Sequence, residues 1–138
     1  MNYEDYAKEL FACFHKFHKY TALRNINDSF RGEMAVLTYL SDGHDGATAG
    51  ELTRIFQIGS SRIAAILNTL EKKNLARRTP DPKDKRKVCV CITDTGRNLT
   101  LKKKQEALGY MTDFLSSIGE EDTATFLRII RKFTDQLQ

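Results

Sequence analysis

Residues 79–96 read TPDPKDKRKVCVCITDTG. Five charged residues, Lys83 to Lys87, stand in succession, and apolar and small residues then alternate up to a Thr-Asp-Thr-Gly stop. Successive strand side chains point to opposite faces, so Lys87 to Thr93 puts Val88, Val90 and Ile92 on one face and Cys89 and Cys91 on the other. Ala76 to Thr79 reads as the partner strand. The segment is a hairpin with a cationic tip holding one acid, Asp84. A solvated turn and a probe for a polyanion both account for such a tip, and the flanking sequence decides between them.

Upstream, Thr48-Ala49-Gly50-Glu51 reads as a capping box, in which hydroxyl and carboxylate each satisfy an orphan backbone N–H. It opens a short helix carrying Leu52, Ile55 and Phe56. A tight turn, Gln57 to Ser61, supplies a second N-cap at Ser60 or Gly59. The helix that follows carries Ile63, Ile66, Leu67 and Leu70 on one face and ends at Glu71 to Leu75, where Asn74 suits a left-handed residue. Short helix, glycine-containing turn, second helix and hairpin together make a winged helix-turn-helix. The face opposite the apolar one shows Ser60, Ser61, Arg62, Ala65 and Asn68. Small residues let a helix sit deep in a major groove, and N-terminal hydroxyls and amides meet phosphate. Arg62 reaches either a guanine edge or a phosphate.

In this setting the hairpin tip becomes a second probe. Arg86 suits an adjacent narrow minor groove or its phosphates, where negative potential is enhanced. Asp84, two positions before it, is expected to act as a carboxylate fork holding the guanidinium in one rotamer. Lys83 and Lys85 add salt-dependent affinity.

The remaining chain reads as helices. Tyr3, Tyr6, Leu10, Phe14 and Phe17 form one apolar stripe, with Phe11 widening it. Asn25 to Ser29 breaks the pattern and offers Asp28 or Ser29 as a cap for a second helix with Phe30, Met34, Leu37 and Leu40. Ser41 to Gly46 is a turn built on glycine and Asx chemistry. Thr93 or Thr95 caps a long helix to about Ser116, and a last helix from about Glu120 presents Phe126, Ile129, Ile130, Phe133 and Leu137.

Composition bounds the function. At 138 residues, with 41% hydrophobic and 29% charged residues, the chain is a globular domain with a real core. The net charge of +4 permits a nucleic-acid partner. The positive charge concentrates in residues 72–87, where eight Lys and Arg face only Asp81 and Asp84. No apolar run approaches the roughly 20 residues that span a bilayer, and no signal-peptide pattern opens the chain, so a cytoplasmic protein without membrane partners is expected. Three cysteines then read as reduced thiols. An enzyme is not expected: there is no glycine-rich phosphate loop, no nucleophile and base at recognisable spacing, and no paired carboxylates in an apolar pocket pattern.

The stretch from Leu70 to Leu99, LEKKNLARRTPDPKDKRKVCVCITDTGRNL, resembles the wing region of the MarR (multiple antibiotic resistance regulator) family of bacterial transcription factors. The matching residues are Leu70, Glu71, Arg77 or Arg78, Asp84, Arg86, Val90, Ile92, Thr93 and Gly96. The resemblance implies a mainly α fold with a β wing, spanning residues 1–138 as a single domain. Residues 30–93 would be the DNA-binding part, and 1–24 with 95–138 the dimerisation stem. It implies a homodimeric, ligand-responsive repressor whose recognition helices enter successive major grooves of a pseudo-palindromic operator. The expected contacts are Ser60, Ser61, Arg62, Ala65 and Asn68 from the recognition helix, Arg77, Lys83, Asp84, Lys85 and Arg86 from the wing, and Thr48 on the DNA backbone. Two positions depart from the pattern. Ala65 stands where many members carry Arg, and Asn74 where Gly is usual, so base preference does not carry over.

A small-molecule effector is implied but unidentified, and Phe11, Phe14 and His18 are its candidate pocket. The same aromatic spacing also suits a packed core, which is the preferred reading even though the terminal helices must bury a dimer seam as well. Two sensing variants stay open as alternatives. Cys13 invites a thiol sensor, although it sits later than the position the peroxide-sensing branch uses, and His15 with His18 makes half a zinc site. No metal or cofactor set is complete. A protein-interaction module of the same fold is the remaining alternative, and it would have no need of the Asp84–Arg86 pair.

Overall fold

The computed structural model describes residues 2–24 and 28–137, with side chains described for 2–17 and 32–137. Among the described residues six α-helices and three strands follow one another as α1 (Tyr3–Arg24), α2 (Asp28–Tyr39), β1 (Ala47–Thr48), α3 (Ala49–Phe56), α4 (Ser60–Lys72), β2 (Ala76–Pro80), β3 (Val88–Ile92), α5 (Asp94–Ile118) and α6 (Glu120–Asp135). The break before α2 and the choice of Asp28 or Ser29 as its cap lie outside the described residues and side chains.

The core forms where α2, α3 and α4 meet the sheet. Val36, Leu37, Leu40, Leu52, Ile63, Leu67, Leu70, Val90 and Ile92 are all buried there. On α4 the buried positions recur at spacings of three and four, so one face turns inward and the opposite face stays wet. Ile55, expected among the inward residues of α3, is exposed; Leu52 alone on that helix is fully buried, with Phe56 half-buried beside it.

The sheet is antiparallel in the order β1-β3-β2. Strand β1 was not expected from the sequence. Ala47 pairs with Val90 and Thr48 with Cys89, so two residues just before the helix cap add an edge to the hairpin. The expected capping box is made in one direction only. Thr48 Oγ1 accepts from the Glu51 amide at 3.1 Å, while the Glu51 carboxylate accepts the Tyr39 hydroxyl at 3.2 Å. Burial and the Glu51 carboxylate together push the Tyr39 hydroxyl pKa up.

Between α2 and β1, Leu40–His44 forms a π-helical turn interrupted at Asp42 and at Gly43, whose φ of 90° suits glycine. Asp45 then reaches across the fold. Its Oδ1 accepts from the Ile92 amide at 2.8 Å and its Oδ2 from Arg97 Nη2 at 3.1 Å.

The α4 C-terminus, the end of β3 and the start of α5 share one joint. Asn74 adopts the left-handed conformation, φ 57°, as expected. Thr93, rather than Thr95, caps α5 by accepting from the Gly96 amide at 3.0 Å. Thr93 also donates its hydroxyl to the Asn74 carbonyl at 2.7 Å and its amide to the Leu75 carbonyl at 3.1 Å. A Cβ on Gly96 would stand 2.2 Å from the Leu75 carbonyl oxygen, so only glycine fits there.

The terminal helices are differently made. No residue of α6 is buried, and every described side chain of α1 is exposed, aromatic residues included. Phe114 of α5 and Phe126 of α6 meet edge to face, and the Thr123 hydroxyl bonds the Leu115 carbonyl at 2.9 Å, closing an α5–α6 elbow around Gly119.

Candidate nucleic-acid interface

The recognition surface starts at the turn before α4. Gln57 takes a left-handed conformation to end α3, and Gly59 is the α4 N-cap. Ser60 is therefore the first residue of the helix and not its cap. Gly59 has no side chain to bond the first amides; those of Arg62 and Ile63 donate to its carbonyl at 3.1 Å, and Ser60, Ser61 and Arg62 at this end of α4 are all exposed. Ser61, Ala65 and Asn68, at spacings of four and three, run along the wet face of the same helix. Thr48 lies at the start of α3, half-buried, with its hydroxyl oxygen already engaged as a cap.

The wing is β2, β3 and the seven residues between them. Two aspartates build its tip. Asp81 Oδ1 accepts from the Lys83 amide at 2.7 Å and more weakly from the Asp84 amide, and these bonds hold its carboxyl below the ordinary range. Asp84 Oδ1 accepts from the Arg86 amide at 3.1 Å and from Arg86 Nε at 3.3 Å. The expected carboxylate fork is not formed: one oxygen serves a backbone turn first and touches only Nε. The end nitrogens of Arg86 stay free, with the side chain 92% exposed. An acid in a basic tip thus has a simple cause. Asx bonds shape the turn, and the cations Lys83, Lys85 and Arg86 point outward from it.

Strand register separates the two neighbouring arginines. Arg77 pairs opposite Cys91 and is exposed, whereas Arg78 pairs opposite the buried Val90 on the face turned toward α4. There Arg78 Nη2 donates to Glu71 Oε2 at 2.8 Å, and its amide donates to Glu71 Oε1 at 3.0 Å. These bonds hold the Glu71 carboxyl below the ordinary range, and the Glu71 partner pushes the Arg78 guanidinium up. Arg78 Nη2 also donates to Asn68 Oδ1 at 2.5 Å. Asn68, expected as a free reader of the groove, is therefore held by the wing. Sequence reasoning missed this network because Glu71 and Arg78 are seven apart across a turn. Pairing Ala76 with Ile92 would have revealed that Arg78 shares the inward face.

The other candidates sit apart from this surface. Phe11 and Phe14 are exposed on α1, and the side chain of His18 lies outside the described residues. Cys13, Cys89 and Cys91 are free thiols; burial, and then the neighbouring Asp81, push the Cys89 thiol up. Among the described residues no group of three or more His, Cys, Asp or Glu is placed to hold a metal ion.

A short helix, a turn, an exposed small-residue helix face and a cationic hairpin form the constellation of a winged helix-turn-helix. Residues 25–87 match the family model described as MarR family. Over that stretch, 63 of its 138 residues, the chain is similar to the MarR family. The family is one of DNA-binding transcriptional regulators and not of enzymes. The chain is 25% identical over 119 residues to the uncharacterized HTH-type transcriptional regulator YdgJ of Bacillus subtilis, covering 86% of this chain and 70% of that one. In fold it is similar to MepR, a transcription regulator of the Staphylococcus aureus multidrug efflux pump MepA, with a TM-score of 0.77 and 21% identity over 95% of this chain and 98% of that one. It is also similar to Streptococcus pneumoniae FabT solved in complex with DNA, with a TM-score of 0.69 and 18% identity, covering 99% and 100% of the two chains. MarR-type architecture thus extends beyond the matched head into the terminal helices.

Proposed function

We propose that this protein is a MarR-family homodimeric repressor that reads a pseudo-palindromic operator and releases it when a small molecule binds. The observation that carries the reading is the exposed small-residue face of α4 standing beside a cationic wing tip. In this reading residues 30–93 are the reading head. Ser60, Ser61 and Arg62 meet phosphate and base edges in the major groove, Ala65 allows close approach, and Arg86 enters the neighbouring minor groove. Lys83, Lys85 and Arg77 supply the salt-dependent part of the affinity, and Thr48 lies against the backbone. FabT bound to DNA is a precedent in the same fold.

The dimer is supported by the terminal helices. Phe11, Phe14 and Phe17 on α1 and Phe126, Ile130 and Phe133 on α6 form apolar faces that one chain leaves in water, at a cost near 25 cal/mol for each Å². A second copy of residues 1–24 and 95–138 would cover them and set the two heads one helical turn apart. An effector lodged beside Phe11, Phe14 and His18 would favour a head spacing that misfits the operator. Among the described residues no helix is long and apolar enough to cross a membrane, which accords with work in the cytoplasm.

The test is selection of bound duplexes from a random library at near-physiological salt, with sedimentation of the free protein. Recovery of an inverted repeat by a dimer is the expected result. No enrichment above background would leave the fold and remove the operator.

A further inference from the structure

Asn68 stands on the wet face of α4 in line with Ser61 and Ala65, where a side chain meets a base edge if α4 is the reading helix. Its amide is not free to turn. A guanidinium has five donors and no acceptor, so the atom of Asn68 that faces Arg78 is the carbonyl oxygen and the NH2 points the other way. Arg78 in turn is held by both oxygens of Glu71, one through its guanidinium and one through its backbone amide. The chain of contacts runs from wing strand to recognition helix, with every partner fixed by the next.

We propose that Arg78 is a positioning residue that sets base preference, by holding Asn68 as a donor-only reader. This rests on the reading of α4 given above. A free asparagine pairs with adenine in two places at once, accepting from N6 and donating to N7. With its oxygen engaged by Arg78, Asn68 offers its two amide hydrogens to the groove and cannot turn oxygen and NH2 together onto one adenine. Those hydrogens suit edges that present acceptors without a donor beside them, N7 and O6 of guanine and O4 of thymine. Adenine offers N7 but sets its N6 donor against a group with no oxygen turned toward it. Arg62, roughly one and a half turns earlier on the same helix, also only donates. The half-site therefore presents guanine or thymine to Asn68 and disfavours adenine, and the preference is written in strand β2 as much as in the helix.

The experiment compares duplexes selected by the parent, Asn68→Ala and Arg78→Met, together with the salt dependence of binding to the parent's operator. The expected parent motif has one position in each half-site that holds guanine or thymine and loses its preference in Asn68→Ala. In Arg78→Met, with its fold checked by circular dichroism, adenine gains about tenfold at that same position and the salt slope stays put. A parent motif with adenine at the Asn68-dependent position overturns the assignment, and because Asn68 is exposed this result does not depend on Arg78→Met folding. So does an Arg78→Met profile identical to the parent's with affinity lowered evenly and a salt slope smaller by about one, which marks a phosphate contact. A parent that enriches no sequence overturns the functional reading itself, and this inference with it.

Discussion

Between residues 36 and 92 the chain buries Leu37, Leu40, Leu52, Ile63, Leu67, Leu70 and Val90 against one another, whereas α6 buries none of its residues although its apolar pattern is as regular. The two regions use the same device, an amphipathic helix, for different ends. In the head, three helices and a sheet close their apolar faces on themselves. In the terminal helices the faces are equally well formed, but among the described residues they meet only at the Phe114–Phe126 elbow and otherwise stay exposed. Amphipathic periodicity states that a face will be covered and is silent about what covers it.

Substitutions at the joint and in the head should damage the single chain, and those in the terminal helices should damage only its association. The largest effect is expected at Gly96, where any side chain runs into the Leu75 carbonyl and Ile92. Gly96→Val should cost about 4 kcal/mol or more in urea unfolding, and a parent-like midpoint would show that the joint is loose. Leu67→Ala, in the closed core, should cost about 3 kcal/mol at every protein concentration. Phe133, 60% exposed in one chain, gives the contrast. Phe133→Ala should weaken dimerisation by about tenfold to a hundredfold in sedimentation while leaving head stability near the parent's, since an interface aromatic costs roughly 1–3 kcal/mol on truncation. Equal concentration dependence in parent and variant would refute the α6 seam.

Smaller effects sharpen the picture inside the head. Arg86→Ala should lower operator affinity at least about tenfold by fluorescence anisotropy with unchanged melting, because the side chain has only an exposed tip contact to lose. The least effect concerns pH. The folded-state carboxyl of Glu71 lies below its ordinary value because Arg78 bonds it, so its stabilising contribution is full above about pH 5 and lost as pH falls through the lowered value. Glu71→Gln should flatten that part of the acid limb of stability without shifting the neutral region much, and an unchanged acid limb would mean the pair contributes nothing.

Much of the head was legible because its signals are local. Thr93 and Asn74 announce their roles by residue type and position, and the wing strands announce theirs by alternation. What stayed hidden was long-range. Strand β1 is two residues long and overlaps a capping signal, so no periodicity reveals it. Asp45 serves Ile92 and Arg97 from 47 and 52 positions away. The candidate interface divided in the same way. Its cations and small residues could be named from sequence, but the choice between Arg77 and Arg78, and the tie that binds Asn68, came from strand register.

The joint around Gly96 makes a mechanical statement. Asn74, Leu75, Thr93 and Gly96 bring the end of the recognition helix and the root of α5 onto shared hydrogen bonds, with Asp45 and Arg97 bracing the same corner. A long helix welded to a short one at a single corner is a crank. A displacement of the α5 root therefore meets the C-terminal end of α4 directly, through the Thr93 bonds to Asn74 and Leu75.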